Sequence, residues 1–351
     1  MDDEYFMRRA LKLASLGTPS PNPYVGAILV KDGEIIGRGY HEKAGMPHAE
    51  IEALKSCENP AGATLYVTLE PCSHHGRTPP CTDAIIKAKI KKVVYALDDP
   101  NPQVNGKQIL EDAGIKVVSG VLQKEAEKLN EVFVKNMTTK LPFVVLKTAM
   151  SSDGKIATKN RAPLQITGEK SRKIVHELRG KYDAILVGVN TILADDPQLT
   201  CRTAGGRDPL RVILDSRLKT PFDAKVLKDK NVLIATTEKY DSEKMRLLSR
   251  KAKVAVFGKD HVNLKQLLKF LYAEGVCSIL VEGGGKVNQN FIKAGLIDKM
   301  VTLISSKKIG VDGLDAFGGK TLEEVRKELS FMLEETLEVD GDKVIISTPK
   351  C

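Results

Sequence analysis

A chain of 351 residues is longer than one core usually serves, so two domains are expected. Hydrophobic residues make up 42%, enough for globular cores, yet no apolar run reaches the ~20 residues needed to span a bilayer. Six scattered cysteines do not form a secreted disulfide framework, and the absence of Trp, with aromatics at 5%, argues against a base-stacking surface for nucleic acid.

The formal net charge of +9 is unevenly placed. Residues 1–142 hold 18 Lys and Arg against 18 Asp and Glu, so the whole excess lies in the remainder. A basic second half suits anionic small ligands or nucleic acid, or is simply a solvated lysine-rich surface. The N-terminus opens acidic and lacks the apolar segment of a signal peptide, which points to the cytoplasm.

In chain order, 3–16 reads as an amphipathic helix and 18–26 as a loop stiffened by three prolines. Two apolar runs around Asp32-Gly33 predict a β-hairpin over 25–40. A helix over 48–57 carries His48 and Glu50 near its start, followed by a strand (63–71), a helix (81–90) and a strand (91–100). A further helix and strand fill 106–121, and 123–135 reads as one helix. This alternation predicts a three-layer α/β domain over 1–142. The boundary rests on "KLPFVV", where a helix gives way to a strand led by proline. From there to 351, "LPFVVLKTAMSSDGKIA" reads as a strand that runs into a loop, and further strands are expected at 183–188, 210–214, 231–236, 253–257, 277–282, 299–304 and 343–347. Helices are expected at 169–179, 241–250, 263–273 and 286–294. The second domain, 143–351, is therefore also α/β.

The first chemical signal is "HAE" at 48–50 followed by two Pro-Cys pairs. A catalytic zinc takes three protein ligands and keeps one position for water. His48, Cys72 and Cys81 supply the three, and Glu50 is placed to move protons to and from that water. The order matches the H-x-E…P-C-x-x-C arrangement of zinc deaminases, and the assignment rests on that match. Eight residues, "SHHGRTPP", separate the cysteines here instead of two. A closed structural site with His74 or His75 as fourth ligand is the alternative. His41 reads as a structural or pocket residue.

The second half carries weaker signals. "SILVEGGGKVNQNF" is a strand, a glycine triplet and a helix, in which Gly283, Gly284 and Gly285 would let the backbone approach a phosphate. "GVNTILADDPQLTCR" gathers Thr191, Asp195, Asp196 and Arg202 in one loop region. Asp195 and Asp196 could bind Mg²⁺, but Asp196-Pro197 fits a cap or turn better. "MSSDGKIA" places Lys155 after an Asp-Gly turn.

On "PNPYVGAILV", "HEKAGMPHAE" and "TLEPCSHHGRTPPC", the chain resembles the bifunctional deaminase–reductases of riboflavin biosynthesis. The long loop ending "GRTPPC" is specific to that family, whereas "HAE…PC" marks only the wider cytidine-deaminase-like fold. The resemblance continues through "SSDGKIA", "ITG", "LRGKYDAILVGVNTILADDPQLTCR", "RVILDS" and "VEGGG", and spans roughly 3–350. It implies a cytidine-deaminase-like α/β/α domain followed by a dihydrofolate-reductase-like α/β domain. It also implies zinc-dependent hydrolytic deamination of 2,5-diamino-6-(5-phosphoribosylamino)pyrimidin-4-one, then NADPH-dependent reduction of the ribosyl to a ribityl chain.

Carried over by position, the resemblance implies that Met150, Gln165, Thr191, Asp195, Ser216 and the run Gly284, Gly285, Lys286, Val287, Asn288, Gln289 and Asn290 line the cofactor. It implies that Pro163, Arg179, Leu199, Arg202 and Glu282 line the substrate, the two arginines meeting its phosphate. Asn22 is the candidate hydrogen-bonding group of the deaminase, with loop formation as its plainer role. Lys155 is the candidate electrostatic group near the sugar. Gln165 stands where many members of that family carry Trp. The expected partner is a small phosphorylated pyrimidine, with neither nucleic acid nor membrane, and the expected assembly a homo-oligomer, dimer or tetramer. The competing reading is a nucleic-acid deaminase, similar to tRNA adenosine deaminases, with a basic binding domain.

Overall fold

The computed structural model describes residues 2–74, 79–159, 165–203 and 205–350. Its contacts divide the chain into two compact units, 1–140 and 141–351. No helix among the described residues is long and apolar enough to cross a membrane.

The first unit runs α1 (Asp3–Ala14), β1 (Gly26–Lys31), β2 (Glu34–Tyr40), α2 (Ala49–Lys55), β3 (Thr64–Leu69), α3 (Cys81–Lys87), β4 (Lys92–Leu97), α4 (Gly106–Asp112), β5 (Lys116–Val118), α5 (Gln123–Leu129) and α6 (Glu131–Thr139). Its five strands form one sheet in the order β2-β1-β3-β4-β5. The β1–β2 hairpin and the β1–β3 pair are antiparallel; β3, β4 and β5 are mutually parallel.

Two glycines explain the layering. A Cβ on Gly26 would lie 2.1 Å from the Ala10 carbonyl oxygen of α1, and one on Gly39 2.3 Å from the Ala49 carbonyl oxygen of α2. Gly39 pairs with Ala27, the residue after Gly26, so the two glycines face opposite sides of the sheet. Each helix thus packs directly on backbone, α1 on one face and α2 on the other.

The helix expected over 123–135 is broken at Asn130. Its buried side chain accepts from the Tyr24 N–H at 2.8 Å and donates to the Tyr24 carbonyl at 3.0 Å, pinning the proline loop to the α5–α6 junction. That long-range clamp outweighs the local helical pattern.

The second unit runs β6 (Phe143–Met150), β7 (Lys155–Ala157), α7 (Glu169–Lys181), β8 (Ala184–Gly188), α8 (Val189–Asp195), β9 (Leu210–Leu214), β10 (Val232–Thr236), α9 (Ser242–Leu248), β11 (Lys253–Val256), α10 (Leu264–Ala273), β12 (Ser278–Val281), α11 (Gly285–Lys293), β13 (Lys299–Ile304), β14 (Leu314–Asp315), α12 (Leu322–Glu328), β15 (Phe331–Val339) and β16 (Asp342–Pro349). Nine strands form one sheet, β11-β10-β9-β8-β12-β6-β13-β16-β15, parallel through β13 and closed by the antiparallel β16–β15 pair. β7 and β14 form a separate small ladder.

Alternate residues of β8 enter different cores: Ala184 and Leu186 pack with α10 and α11, Ile185 and Val187 with Ile192 of α8 and Leu248 of α9. Burial on both faces is why the central strands read as unbroken apolar runs. Because β8, β12 and β6 are adjacent and parallel, their carboxyl ends at Gly188, Glu282 and Met150 share one edge, where ligands of such sheets gather.

Three elements depart from expectation. The region 188–202 is not a continuous loop, since Thr191 and Asp195 sit on α8. Asp196 ends that helix in the left-handed conformation at φ 41°, its carboxylate accepting from the Lys225 N–H at 2.8 Å. The helix α12 carries a capping box between Thr321 and Glu324. The edge strand β15 bulges between Leu333 and Glu335, which breaks the two-residue alternation that would have revealed it.

Candidate active sites

In the first unit, chain geometry brings three distant donors together. His48 is the residue before α2, in extended backbone, and makes no side-chain cap, which leaves its ring free to face the cysteines. Its Nδ1 lies 3.3 Å from Cys81 Sγ and 3.5 Å from Cys72 Sγ, and all three ligand atoms fall within 4.8 Å of one another. Tetrahedral zinc with one nitrogen and two sulfur ligands needs N···S separations of about 3.5 Å, so the cluster fits the ion. No other His, Cys, Asp and Glu group of this kind occurs among the described residues, and His74 is not part of it. His75 lies outside the described residues.

The thiols share charge. The Cys72 thiol is pulled far below the ordinary value, first by a hydrogen bond with Cys81 and then by His48, while the Cys72 thiolate and burial push the Cys81 thiol up. The Cys81 backbone N–H also points at Cys72 Sγ, at 3.3 Å. A soft divalent cation would take the place of the shared proton.

Two of these donors, His48 and Cys72, line a cavity of about 570 Å³, together with Asn22, His41, Glu50, His74, Asp99 and Phe133 among others. That volume suits a small-molecule ligand. Glu50 is buried on α2, and burial, reinforced by the Cys72 charge, raises its carboxyl to about 7. A carboxyl poised there can both accept and release a proton near neutrality.

Asn22 is held into the cavity by a second fixed group. His41 Nδ1 lies 3.0 Å from the Pro47 carbonyl, so it carries the proton, and its Nε2 accepts from Asn22 Nδ2 at 2.9 Å. The Asn22 side-chain oxygen is left for a ligand. Sequence reasoning missed Asp99: its carboxyl, raised to about 6 chiefly by burial, lines the same cavity. No local motif marks it.

In the second unit the centre is Glu282, at the end of β12. Arg179 of α7 donates to it through Nε and Nη2 at 2.8 and 2.9 Å, and Lys147 of β6 donates at 3.2 Å. Burial pushes the Glu282 carboxyl up, but the two cations outweigh it and hold it at about 2. Lys147 was not read from the sequence, since a lysine alternating with apolar strand residues looks like a solvated position. The Arg179 guanidinium, expected to meet a phosphate, spends two of its five N–H donors on Glu282. Arg202 is exposed and has no ion-pair partner among the described residues.

The glycine turn lies on the same edge. Gly284 is the residue before α11, and the nearest atom to a Cβ added there is Ile156 Cδ1 of β7, at 4.0 Å. Lys155, next along β7, is ion-paired to Asp315 at 2.6 Å, and the Asp315 carbonyl lies against Gly285. Lys155 therefore borders the turn with its charge compensated. Of the other cofactor candidates, Lys286 and Asn290 are exposed, and Val287 packs against Gly188 and Gly283. Asn288 is fully buried and donates to the Ala316 carbonyl at 3.0 Å, which directs it inward. Gln289 packs on Gly318. Met150 and Leu199 belong to the apolar cores. Thr191 is half-buried and Asp195 exposed; the Ser216 carbonyl accepts from the Thr237 hydroxyl at 2.8 Å; Gln165 is exposed. Pro163 lies outside the described residues.

Two family models match. "RibD C-terminal domain" covers residues 142–345, and "cytidine and deoxycytidylate deaminase zinc-binding region" covers 1–97. The chain is 46% identical to the riboflavin biosynthesis protein RibD of Aquifex aeolicus, covering 93% of each chain. It is 41% identical to the RibD of Escherichia coli, covering 97% of this chain and 98% of that one. Among solved structures, the diaminohydroxyphosphoribosylaminopyrimidine deaminase/5-amino-6-(5-phosphoribosylamino)uracil reductase of Thermotoga maritima is similar, with a TM-score of 0.86 at 40% identity and 99% of each chain covered.

Proposed function

This chain belongs to the RibD family of riboflavin-biosynthesis proteins, and from that membership we propose which of its residues carry each of the two reactions. The enzyme is bifunctional, a cytidine-deaminase-like zinc deaminase joined to a dihydrofolate-reductase-like reductase. The second unit is thus a reductase domain and not a nucleic-acid-binding module.

For the deaminase, residues 1–142, the proposed substrate is 2,5-diamino-6-(5-phosphoribosylamino)pyrimidin-4-one. The observation that carries the reading is the convergence of His48, Cys72 and Cys81 in one cluster whose His48 and Cys72 line a cavity with buried Glu50. The three donors hold zinc, which when bound supplies a water that ionises near neutral pH. Glu50, buried beside these donors, would accept a proton there and return it to the departing amino group. Asn22, fixed by His41, orients the pyrimidine through its side-chain oxygen.

For the reductase, residues 143–351, NADPH supplies the hydride. Gly284 and the turn around it meet the cofactor phosphates, with Lys155, Thr191, Asp195, Ser216 and Gln165 along the same site. Glu282 faces the sugar, held in place by Arg179 and Lys147, and Arg202 meets the substrate phosphate. The enzyme is proposed to act in the cytoplasm as a homo-oligomer on small phosphorylated pyrimidines.

The test is Glu50→Gln. It should retain zinc by metal analysis and lose roughly 10²–10⁴-fold in ammonia release, with NADPH oxidation on deaminated substrate unchanged. Ammonia release within about threefold of wild type, roughly 0.6 kcal/mol of barrier, would remove Glu50 from the mechanism.

A further inference from the structure

Asn130, where α5 gives way to α6, holds neither zinc nor a travelling proton. Asparagine is a favoured helix N-cap, and Asn130 stands at the N-cap of α6, yet its side chain caps nothing there. It is 1% exposed and spends its amide on Tyr24, 106 residues away. Oδ1 accepts from the Tyr24 N–H at 2.8 Å, and Nδ2 donates to the Tyr24 carbonyl at 3.0 Å. One partner only donates and the other only accepts. The amide therefore fits in a single orientation, and a carboxylate could make only half of the contact.

This clamp joins two walls of the deaminase cavity. The proline loop lines it with Pro21, Asn22 and Pro23, and α6 lines it with Phe133 and Met137. Phe133 and Met137 are four residues apart and share one stripe of α6. That wall is firm, since Phe133 and Val134 pack on the core of the unit. The loop is the wall that can shift. His41 holds the Asn22 side chain at 2.9 Å, and two residues further on the Asn130 clamp holds the loop backbone to α6. The hydrolytic groups stand on neither wall: His48 and Glu50 open α2, Cys72 follows β3 and Cys81 opens α3. The helix α6 also lies beyond residues 1–97, which match the deaminase zinc-binding region. Zinc chemistry and the grip on the pyrimidine thus come from different parts of the unit.

We propose that Asn130 is a positioning residue of the deaminase: by locking Tyr24 to the start of α6, it sets the reach of Asn22 across the cavity toward Phe133. The planar pyrimidine is held in that gap, its face on the apolar α6 wall and its polar edge on the Asn22 oxygen. The inference rests on the reading of this cavity as the deaminase site.

The experiment is a double-mutant cycle on the zinc-loaded full chain, with Asn130→Ala, Asn22→Ala and the pair. Ammonia release from 2,5-diamino-6-(5-phosphoribosylamino)pyrimidin-4-one is followed. Asn130→Ala should raise KM roughly tenfold, the worth of a hydrogen bond no longer made. Its kcat should stay within about threefold, because the zinc donors and Glu50 keep their supports. Bound zinc and NADPH oxidation on deaminated substrate should be unchanged. In the Asn22→Ala background, removing Asn130 should raise KM by less than about twofold, since the group it positions is already gone. A residue that served folding alone would act equally in both backgrounds. Equal effects in the two backgrounds, or an unchanged KM in Asn130→Ala, overturn the proposal. Should the alanine variant lose zinc, Asn130→Ser keeps a cap-forming side chain and carries the same comparison.

Amide hydrogen exchange gives the structural readout. The Tyr24 N–H should exchange at least about tenfold faster in Asn130→Ala than in wild type. Equal protection in both would mean that the loop is held by other means, which also overturns the proposal. Failure of the underlying reading looks different. If Asn22→Ala leaves KM unchanged while Glu50→Gln abolishes ammonia release, Asn22 is not the pyrimidine contact, and the positioning role falls while the deaminase site stands. If Glu50→Gln also releases ammonia normally, the site itself has been misread.

Discussion

The glycine turn at the reductase site offers a test in which stability and cofactor binding separate. Gly284 has φ −75° and ψ 173°, extended backbone that any residue adopts. Its glycine is therefore not required by backbone conformation, and a Cβ there meets a single atom at ordinary van der Waals distance. In Gly284→Val the helix loses a tolerated cap residue, about 0.5–1 kcal/mol, and the unfolded chain loses conformational freedom, which returns about 0.4–1 kcal/mol. The net change should be within about 0.5 kcal/mol, a shift of roughly 1–2 °C in Tm for a unit of this size. Gly285→Ala is the contrast. Its Cβ would lie 2.3 Å from the Asp315 carbonyl oxygen, so backbone must move, at about 1–3 kcal/mol or more. NADPH titrated by fluorescence should bind Gly284→Val at least tenfold more weakly, because the added methyls cover the backbone N–H groups that would meet phosphate. Thermal melting serves as the folding control, and ammonia release should be untouched. A well-folded Gly284→Val with wild-type NADPH affinity would show that the cofactor does not approach this turn.

Other outcomes follow from the same structure. Cys72→Ser exchanges a thiolate for a poor zinc ligand. Bound zinc should fall from about one ion per chain to near zero together with ammonia release, and ammonia release at the wild-type rate from metal-free enzyme would refute the hydrolytic site. Glu282 makes a pH prediction: its carboxyl is near 2 folded against 4.5 ordinarily, so its contribution is complete above about pH 4.5 and is lost as pH falls toward 2. The amount is about 3 kcal/mol. Glu282→Gln leaves Lys147 and Arg179 without a counter-charge and should destabilise the second unit by about 3–5 kcal/mol. Urea melts from pH 7 to 2 should show wild type and variant converging at the acid end, and parallel curves would count against the clamp.

The two sites were not equally legible in the sequence, and the reason is chemical. Zinc accepts few residue types, and this chain has six histidines and six cysteines, so His48, Cys72 and Cys81 stand out even with eight residues between the cysteines. The central strands of both sheets were legible for a similar reason, since burial on both faces leaves a continuous apolar run, whereas the exposed edge strand β15 was not. What escaped depended on partners far along the chain. Asn130 breaks a helix because Tyr24, 106 residues away, needs its amide. The α12 capping box was a local signal available in "TLEE" but not used. At the reductase site the decisive contacts join commonplace residues: the chain holds 54 Lys and Arg and 45 Asp and Glu, so nothing in one dimension singles out Lys147, Arg179 and Glu282 as a buried trio.

Arg179 shows what that costs in functional reading. By residue type and position it was expected to grip phosphate, and an isolated guanidinium does this well. In the folded unit it is largely buried, and two of its donors are fixed on a carboxylate that would itself repel a phosphate. Arg202, by contrast, is exposed and has no ion-pair partner among the described residues, which leaves its guanidinium for the proposed phosphate contact. The same clamp keeps Glu282 ionised and fixed at the end of β12, where a carboxylate can orient the hydroxyls of an opened sugar. The Glu282 clamp is thus an arrangement visible only once α7, β6 and the end of β12 are brought together, since Arg179 and Lys147 lie 103 and 135 residues from Glu282.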